Sequence, residues 1–147
     1  MLLHGFSMGG GIAAMAARRL PGEPIKGLIL DSPVLDWHAP IDLGARQLGV
    51  PGWLASLGKF TAERRTGISL DDLDHVRHAR AFRSPVLLFV DDDDGSVPTG
   101  PSLRFARARP DLVTLVRTRG GGHVGSWNAD PARYEQALRD FAKKSAA

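Results

Sequence analysis

The chain has 147 residues, of which 43% are hydrophobic and 24% are charged, and these proportions are typical of one globular domain with its own core. Its net charge of +3 comes from scattered lysines and arginines rather than from a basic run, which argues against nucleic acid as a partner. It has no cysteine, which excludes disulfides and thiolate metal sites, and no apolar stretch approaches the roughly 18–20 residues of a membrane span. The compartment stays open, with the cytoplasm as the default expectation.

The first part of the chain predicts two strands with a helix between them. Residues 1–4 are a short apolar stub, interpreted as the end of a strand. An Ala-rich helix is predicted over 12–20, and Pro21-Gly22 ends it. The apolar run KGLILD at 26–31 predicts a strand that is buried on both faces, as in a parallel sheet.

A long connection follows this strand. It covers about fifty residues, whereas a crossover between parallel strands needs only a dozen or more. Residues 36–84 are therefore predicted to form a helical insertion, either a lid above the sheet edge or additional packing helices. Ser69 is a candidate cap for its last helix. The predicted short helices cover 43–48, 53–60 and 70–80. The candidate substrate-pocket residues are the apolar Trp37, Trp53 and Leu57.

The last part of the chain continues the alternation of strands and helices. Asp130 followed by Pro131 is a favourable start for the final helix. The pattern as a whole predicts the α/β class with about four parallel strands. The elements predicted here are a strand over 85–90, a helix over about 101–109, a strand over 112–117 and a helix over 131–143.

Gly5-Phe6-Ser7-Met8-Gly9 joins the first strand to the first helix and fits the pattern G-x-S-x-G. This pattern is typical of a nucleophile elbow, a strained turn that holds a serine hydroxyl above the end of a buried strand. A serine before a helix can also be a simple N-cap. The helix N-terminus favours negative charge, and the backbone N–H of Met8 is suitably placed to stabilise an oxyanion. The motif predicts Ser7 as a nucleophile and Met8 as an oxyanion donor.

A serine nucleophile needs a base, usually a histidine that a carboxylate orients. His123 lies in the glycine-rich loop GGGHVG, directly after the strand at 112–117. Loops at the C-terminal ends of parallel strands are where open sheets place their sites. The sequence therefore predicts His123 as the base. The other histidines, interpreted as structural or surface residues, are His4, His38, His75 and His78.

An acidic run, Asp91-Asp92-Asp93-Asp94, leaves the strand at 85–90 and lies between the predicted nucleophile and base along the chain. Adjacent carboxylates repel one another, so most of the four are expected to face solvent.

The residues quoted so far resemble the C-terminal part of the α/β-hydrolase-fold serine hydrolases, a superfamily of esterases, lipases and peptidases. GFSMGG is similar to their nucleophile elbow, LLFVDDDDGSVP to their acid segment and GGGHVGSWN to their histidine loop. Matched residue by residue, the resemblance makes Ser7 the nucleophile, Asp94 the acid and His123 the base. One position departs from the family pattern, because Asp91 stands where the family usually has glycine.

The resemblance covers essentially the whole chain and implies a serine hydrolase that acts on an ester-like acyl bond through an acyl-enzyme. It implies no metal and no organic cofactor, and a small acyl or ester molecule as substrate. The family's second oxyanion donor lies on a loop after an earlier strand. The resemblance therefore predicts an N-terminally truncated domain over 1–147 with impaired activity, and self-association through an exposed sheet edge.

Alternatives to these assignments remain at the sequence level. A catalytically silent fragment or interaction module is the alternative function, and Asp31 is the alternative triad acid. The acidic run also imitates the D-x-D-G-T/S start of haloacid-dehalogenase-like phosphatases, but the only later lysines are Lys143 and Lys144 in the C-terminal tail. The run fails as an EF-hand because its twelfth position is Pro101 rather than glutamate.

Overall fold

The computed structural model describes residues 1–20 and 22–146, except for the side chain of Ala146. One sheet of four parallel strands has the order β1-β2-β3-β4, so that strand order follows chain order. The strands are β1 (Leu2–Phe6), β2 (Gly27–Asp31), β3 (Val86–Asp91) and β4 (Val113–Thr118). The helices are α1 (Ser7–Arg19), α2 (His38–Gln47), α3 (Gly52–Thr66), α4 (Thr99–Ala108), α5 (Ser126–Ala129) and α6 (Pro131–Ala146). The predicted α/β architecture is confirmed.

The two central strands are buried on both faces, as their continuous apolar runs predict. Every residue of β2 and β3 is buried. Successive side chains point to opposite sides of the sheet, so each strand contributes to two apolar clusters. The cluster on the α1 and α4 side includes Ala14, Leu28, Leu30, Val86, Leu88 and Phe105. The cluster on the α6 side includes Ile29, Leu87, Phe89, Val116, Tyr134 and Phe141.

The first helix begins five residues earlier than predicted. The glycines at 9–11 are poor helix formers, and the sequence predicts that they allow close backbone approach at the start of the helix. The structure instead has Ser7 as the first helical residue. The glycine at position 11 is needed for close packing, since a Cβ there would lie 2.5 Å from the carbonyl oxygen of Val34. Contact with the segment after β2 therefore outweighs the low helix propensity.

The helix predicted over 70–80 is wrong. This segment forms turns and a single 3₁₀ turn at Ala79–Ala81. The Asp74 carboxylate accepts the backbone N–H groups of Val76 and Arg77, both at 3.0 Å, and so offers the backbone an alternative to helix. Ser69 therefore caps no helix, and the N–H of Leu70 donates to Glu63 Oε1 at 2.7 Å. The other two predicted short helices are present as the longer α2 and α3.

The β1 edge of the sheet exposes apolar side chains. Leu2 and Phe6 of β1 are exposed apolar side chains, and Met8 and Ile12 of the following helix are exposed as well. An apolar edge strand can pair with another chain, so self-association through β1 stays a prediction.

Among the helices of the described residues, none combines the length and apolarity required to cross a bilayer.

Candidate active site

Ser7 lies in a strained turn between β1 and α1. Its φ is +49°, in the left-handed region that a residue with a side chain rarely adopts. A Cβ at Gly5 would lie 2.6 Å from the carbonyl oxygen of Gly9 and 2.7 Å from Cα of Gly10, so the turn requires glycine there. At Gly9 itself, no described atom would lie within 4 Å of an added Cβ. The close approach of the turn thus depends on Gly5 and not on Gly9.

The structure brings Ser7, His123 and Asp94 together in one hydrogen-bonded chain. Nε2 of His123 lies 2.9 Å from Oγ of Ser7, and its Nδ1 lies 2.9 Å from Oδ2 of Asp94. In the tautomer with its proton on Nδ1, the ring donates to the carboxylate and accepts the serine O–H. These contacts cross 116 and 29 positions of sequence, so only the fold assembles them.

The environment of Asp94 keeps its carboxylate ionised. Only 2% of its side chain is exposed. Burial alone raises the pKa of Asp94, but the hydrogen bond with His123 and the N–H groups of Val97 and Ser96 outweigh that effect and lower the pKa. Both N–H groups donate to Oδ1 at 2.9 Å, which leaves Oδ2 for the imidazole.

The four carboxylates of the acidic run have separate partners, and the expectation that most face solvent is wrong. Asp91 is fully buried, and only Asp93 is exposed. Asp92 pairs with Arg117 at 2.7 Å and with Arg119 at 3.7 Å. Partners that the fold brings in from β4 and its loop offset the repulsion between neighbouring charges.

Asp31 occupies a different position from the one expected of a triad acid. Its Oδ1 accepts the hydroxyl of Ser126 at 3.0 Å, and Ser32 Oγ lies 3.5 Å away. Burial raises the pKa of Asp31, and the hydroxyls beside it only partly offset this. The N–H of Val124 donates to Ser32 Oγ at 3.2 Å. The end of β2 therefore contacts the backbone of the histidine loop, while the ring of His123 is bonded to Asp94.

Strained backbone is concentrated around this site. Ser7, Ser32 and Val124 are the residues other than glycine with positive φ among those the structure describes, at +49°, +46° and +57°. They belong to the ends of β1 and β2 and to the histidine loop. Left-handed non-glycine residues cost roughly 1–3 kcal/mol each and cluster at functional sites.

The remaining predicted site residues are dispersed. Met8 is the second residue of α1, in the first turn, where backbone N–H groups have no acceptor within the helix. Trp37 lines a cavity of about 610 Å³ between α1, α2, α3 and residues 67–73. Trp53 and Leu57 on α3 do not line it and are 70% and 52% exposed. Ser7, Asp94 and His123 are absent from its lining, so the pocket assignment stays a prediction.

The other histidines lie away from this chain of hydrogen bonds. The ring of His4 packs against that of Phe6, with centroids 4.4 Å apart and the ring planes tilted by 40°. Nε2 of His38 lies 3.3 Å from Asp71 on the surface, and His75 is fully buried. Within residues 1–20 and 22–146, no cluster of three or more His, Asp or Glu side chains has an arrangement that could hold a metal ion.

Comparison with solved structures decides the fold. The chain superposes on an α/β-hydrolase enzyme from a lagoon-sediment metagenome with a TM-score of 0.64 and 19% identity, over 100% of this chain and 63% of the other. The chain has part of the α/β-hydrolase fold. An esterase from Pyrococcus furiosus with the same fold matches with a TM-score of 0.72 and 20% identity.

The share of each chain covered is unequal. The match to the Pyrococcus furiosus esterase covers 99% of this chain and 53% of the esterase, so this chain spans about half the length of that protein. A monoacylglycerol lipase from Paleococcus ferrophilus matches at 18% identity and a TM-score of 0.63, over 99% of this chain and 68% of the lipase. No protein-family model and no curated protein matches the sequence.

Proposed function

We propose that the chain is a serine hydrolase that cleaves an ester-like acyl bond, with Ser7 as nucleophile, His123 as base and Asp94 as the acid that orients the base. The observation that carries the proposal is the pair of 2.9 Å contacts on the two ring nitrogens of His123. A nucleophile within hydrogen-bond reach of a base that a third group orients is the arrangement this chemistry requires. The hydrolase-fold relationship supports it.

The proposed reaction has two halves. The hydroxyl oxygen of Ser7 attacks the acyl carbonyl carbon while His123 Nε2 accepts its proton. The tetrahedral intermediate expels the alcohol, which takes the proton back from His123, and an acyl-serine remains. Water then attacks the acyl carbon and gives its proton to His123, and the acid leaves as Ser7 recovers its hydrogen. The negatively charged Asp94 stabilises the imidazolium that forms in each half.

The oxyanion of the intermediate would be stabilised by the N–H of Met8 at the start of α1. We propose that a second donor comes from outside the four strands described here and that this chain alone is weakly active. Losing one oxyanion donor typically lowers the rate by about 10²–10³. The chain spans 53% of the Pyrococcus furiosus esterase, which leaves room in such a protein for that donor.

The substrate class proposed is an acyl or aryl ester of a small molecule. The apolar residues of the 36–84 insertion support this choice, because an apolar acyl group needs an apolar surface. Trp37 already lines a cavity, and Trp53, Leu54, Leu57 and Phe60 supply exposed apolar surface on α3. Thioesters, lactones and peptides have the same acyl chemistry and are outcomes of a substrate survey.

Covalent labelling with a fluorophosphonate tests the nucleophile. We expect the 147-residue chain to be labelled and Ser7→Ala to be unlabelled. Ser69→Ala is the matched control, since Ser69 is exposed and distant in sequence from the site, and it should be labelled like the parent. Peptide mapping should place the adduct on Ser7. Equal labelling of Ser7→Ala would overturn the assignment.

The alternative function is an interaction module that has the fold without turnover. The exposed apolar residues of β1 and α1 favour it, because such surface is common where another chain binds. An unlabelled but folded parent chain that forms a stable dimer would support this alternative. A labelled monomer would support the hydrolase.

A further inference from the structure

We propose that Asp91 is a positioning residue that fixes the histidine loop and the acid loop relative to each other, so that His123 meets both Asp94 and Ser7. This inference rests on the proposed hydrolase function. Asp91 is the residue that replaces the glycine usual in the family, so its role is not carried over from the resemblance. It touches neither the serine nor the imidazole in the contacts that the structure describes.

The first support is the number of donors that Asp91 accepts. Its Oδ2 accepts the hydroxyl of Thr118 at 2.8 Å and the N–H of Gly121 at 3.0 Å. Its Oδ1 accepts the N–H groups of Gly122 and Asp93, both at 3.0 Å. Both carboxylate oxygens are therefore used, and each bridges two segments of the site.

The second support is where these donors lie. Gly121 and Gly122 directly precede His123, so the Asp91 carboxylate binds the backbone next to the histidine. The N–H of Asp93 donates to the Asp91 side chain, and the N–H of Asp94 donates to the backbone carbonyl oxygen of Asp91 at 3.2 Å. One residue at the end of β3 thus organises both turns that meet at the imidazole.

The third support is the chemistry of the environment. All four partners donate, so the position requires a group that only accepts. An ionised carboxylate fits this requirement, whereas an amide would direct its NH₂ at a donor. Burial raises the pKa of Asp91, and the bonds from Thr118, Gly121, Asp93 and Gly122 outweigh it and lower the pKa. Hydrogen bonds to an ionised group are strong, and buried donors that lose their acceptor destabilise the fold. Removal of the Asp91 carboxylate is therefore expected to destabilise the loop.

The histidine loop has little room to compensate for a lost contact. Gly120 and Gly122 have positive φ, at +85° and +70°, and a Cβ at Gly121 would lie 2.2 Å from the carbonyl oxygen of Gly125. The loop is therefore folded tightly on itself. A shift of its anchored end moves the imidazole, and a misplacement of about 1 Å can cost on the order of 10²-fold in rate.

The experiment compares Asp91→Asn and Asp91→Gly with the matched control Asp92→Asn, which alters a neighbouring carboxylate that pairs with Arg117 and Arg119. The first measurement needs no activity: it follows amide hydrogen exchange at Gly121 and Gly122 and the NMR signal of the Nδ1 proton of His123. We expect faster exchange and loss of that proton signal in both Asp91 variants, and parent-like spectra in Asp92→Asn.

The second measurement separates positioning from unfolding. The rate of fluorophosphonate labelling should fall by on the order of 10²-fold in the Asp91 variants, while the fraction labelled at completion stays that of the parent. Chains that cannot refold would instead lower the labelled fraction. A reversibly unfolded population slows labelling only in proportion to its share of the molecules, so circular dichroism would reveal a share large enough to explain a fall of about 10²-fold. The Asn variant should be less impaired than Gly, because it keeps one accepting oxygen.

The outcomes for Asp91 and for the proposed function are distinguishable. Slow exchange at Gly121 and Gly122 in Asp91→Asn would overturn the positioning role, whatever the labelling. Fast exchange with a parent-like labelling rate would overturn it too, since the loop would then not govern the base. If the parent is unlabelled at Ser7, the hydrolase proposal fails, and the exchange and NMR results alone decide whether Asp91 anchors the loop.

Discussion

The acid loop at residues 92–98 and the histidine loop at 119–125 are held in place by different means from the insertion at 36–84. Buried carboxylates at Asp91 and Asp94 accept hydrogen bonds from several segments and fix the loops around His123. The helices α2 and α3 of the insertion have no buried residue, and only its later part, including His75 and Phe82, enters the core. The groups proposed to react are thus held by several hydrogen bonds, while the surface proposed to select the substrate lies on helices without buried residues.

The largest expected effect lies in the tightly bonded region. Asp94→Asn should lower the rate of Ser7 labelling by about 10⁴-fold, because an amide favours the wrong imidazole tautomer and cannot stabilise an imidazolium. The measurement is labelling kinetics beside Asp92→Asn, whose side chain pairs with arginines instead. A loss below tenfold in Asp94→Asn would mean that the 2.9 Å contact with His123 has no catalytic role.

Burial also differs between the sheet and the insertion: Leu88 of β3 is fully buried, whereas Leu57 of α3 is exposed. Leu88→Ala in the buried centre of β3 should lower the free energy of unfolding by about 2–5 kcal/mol, since it removes apolar contacts and leaves a cavity. Leu57→Ala on exposed α3 should change it by less than about 0.5 kcal/mol. Urea unfolding of both variants checks this. Equal losses would show that the insertion packs as tightly as the sheet.

His75 makes the later part of the insertion sensitive to pH. Burial and the charge of Arg18 lower its pKa from 6.5 to about 4, with Asp74 and His78 as the other ionisable neighbours. Between these values the unfolded chain binds the proton and the folded chain does not. The free energy of unfolding is therefore unaffected by His75 above pH 6.5. It falls by about 3 kcal/mol because of this residue as the pH drops toward 4.

The measurement for His75 is the free energy of unfolding as a function of pH in the parent and in His75→Leu. The difference between the two isolates this residue from the carboxylates that titrate in the same range. It should change between pH 6.5 and 4 and be constant above. Parallel curves over the whole range would contradict the prediction.

The smallest effect is expected at Asp31. Burial raises its pKa, with Ser126, Tyr134, Ser32 and His4 as the neighbours that partly oppose the shift. The folded chain then holds the proton more tightly than the unfolded chain, so stability falls as pH rises through the raised pKa. Asp31→Asn should remove that fall. Relative to the parent, the free energy of unfolding of the variant should therefore be higher at neutral pH than at acid pH. Chemical unfolding at several pH values checks the sign.

Local sequence signals predicted much of this fold. The centres of the runs at 26–31 and 85–90 are apolar because both faces of these strands are buried, and β2 and β3 follow the two runs closely. The turn at Ser7 was predicted because it needs Gly5, and its contacts are local. The helix predicted over 70–80 failed because the side chain of Asp74 caps nearby N–H groups, a competition that apolar periodicity does not show.

Contacts distant in sequence could not be predicted in this way. In the sequence Asp91 differs from its neighbours only in replacing a glycine of the family pattern, because its partners Thr118, Gly121 and Gly122 are 27 to 31 positions further along the chain. The bond from Ser126 to Asp31 spans 95 positions. A buried aspartate at the end of an apolar strand is the available signal, because such a charge needs donors from elsewhere.

The left-handed residues Ser32 and Val124 have a consequence for engineering. Glycine adopts positive φ without strain, and this gain competes with its added freedom in the unfolded chain, worth about 0.5–1 kcal/mol. At a β-branched residue such as Val124, the strain that glycine removes from the folded chain should exceed the entropy that it adds to the unfolded chain. Selection of variants for heat tolerance alone would therefore favour glycine beside His123, and the more tolerant proteins would hold their imidazole less firmly.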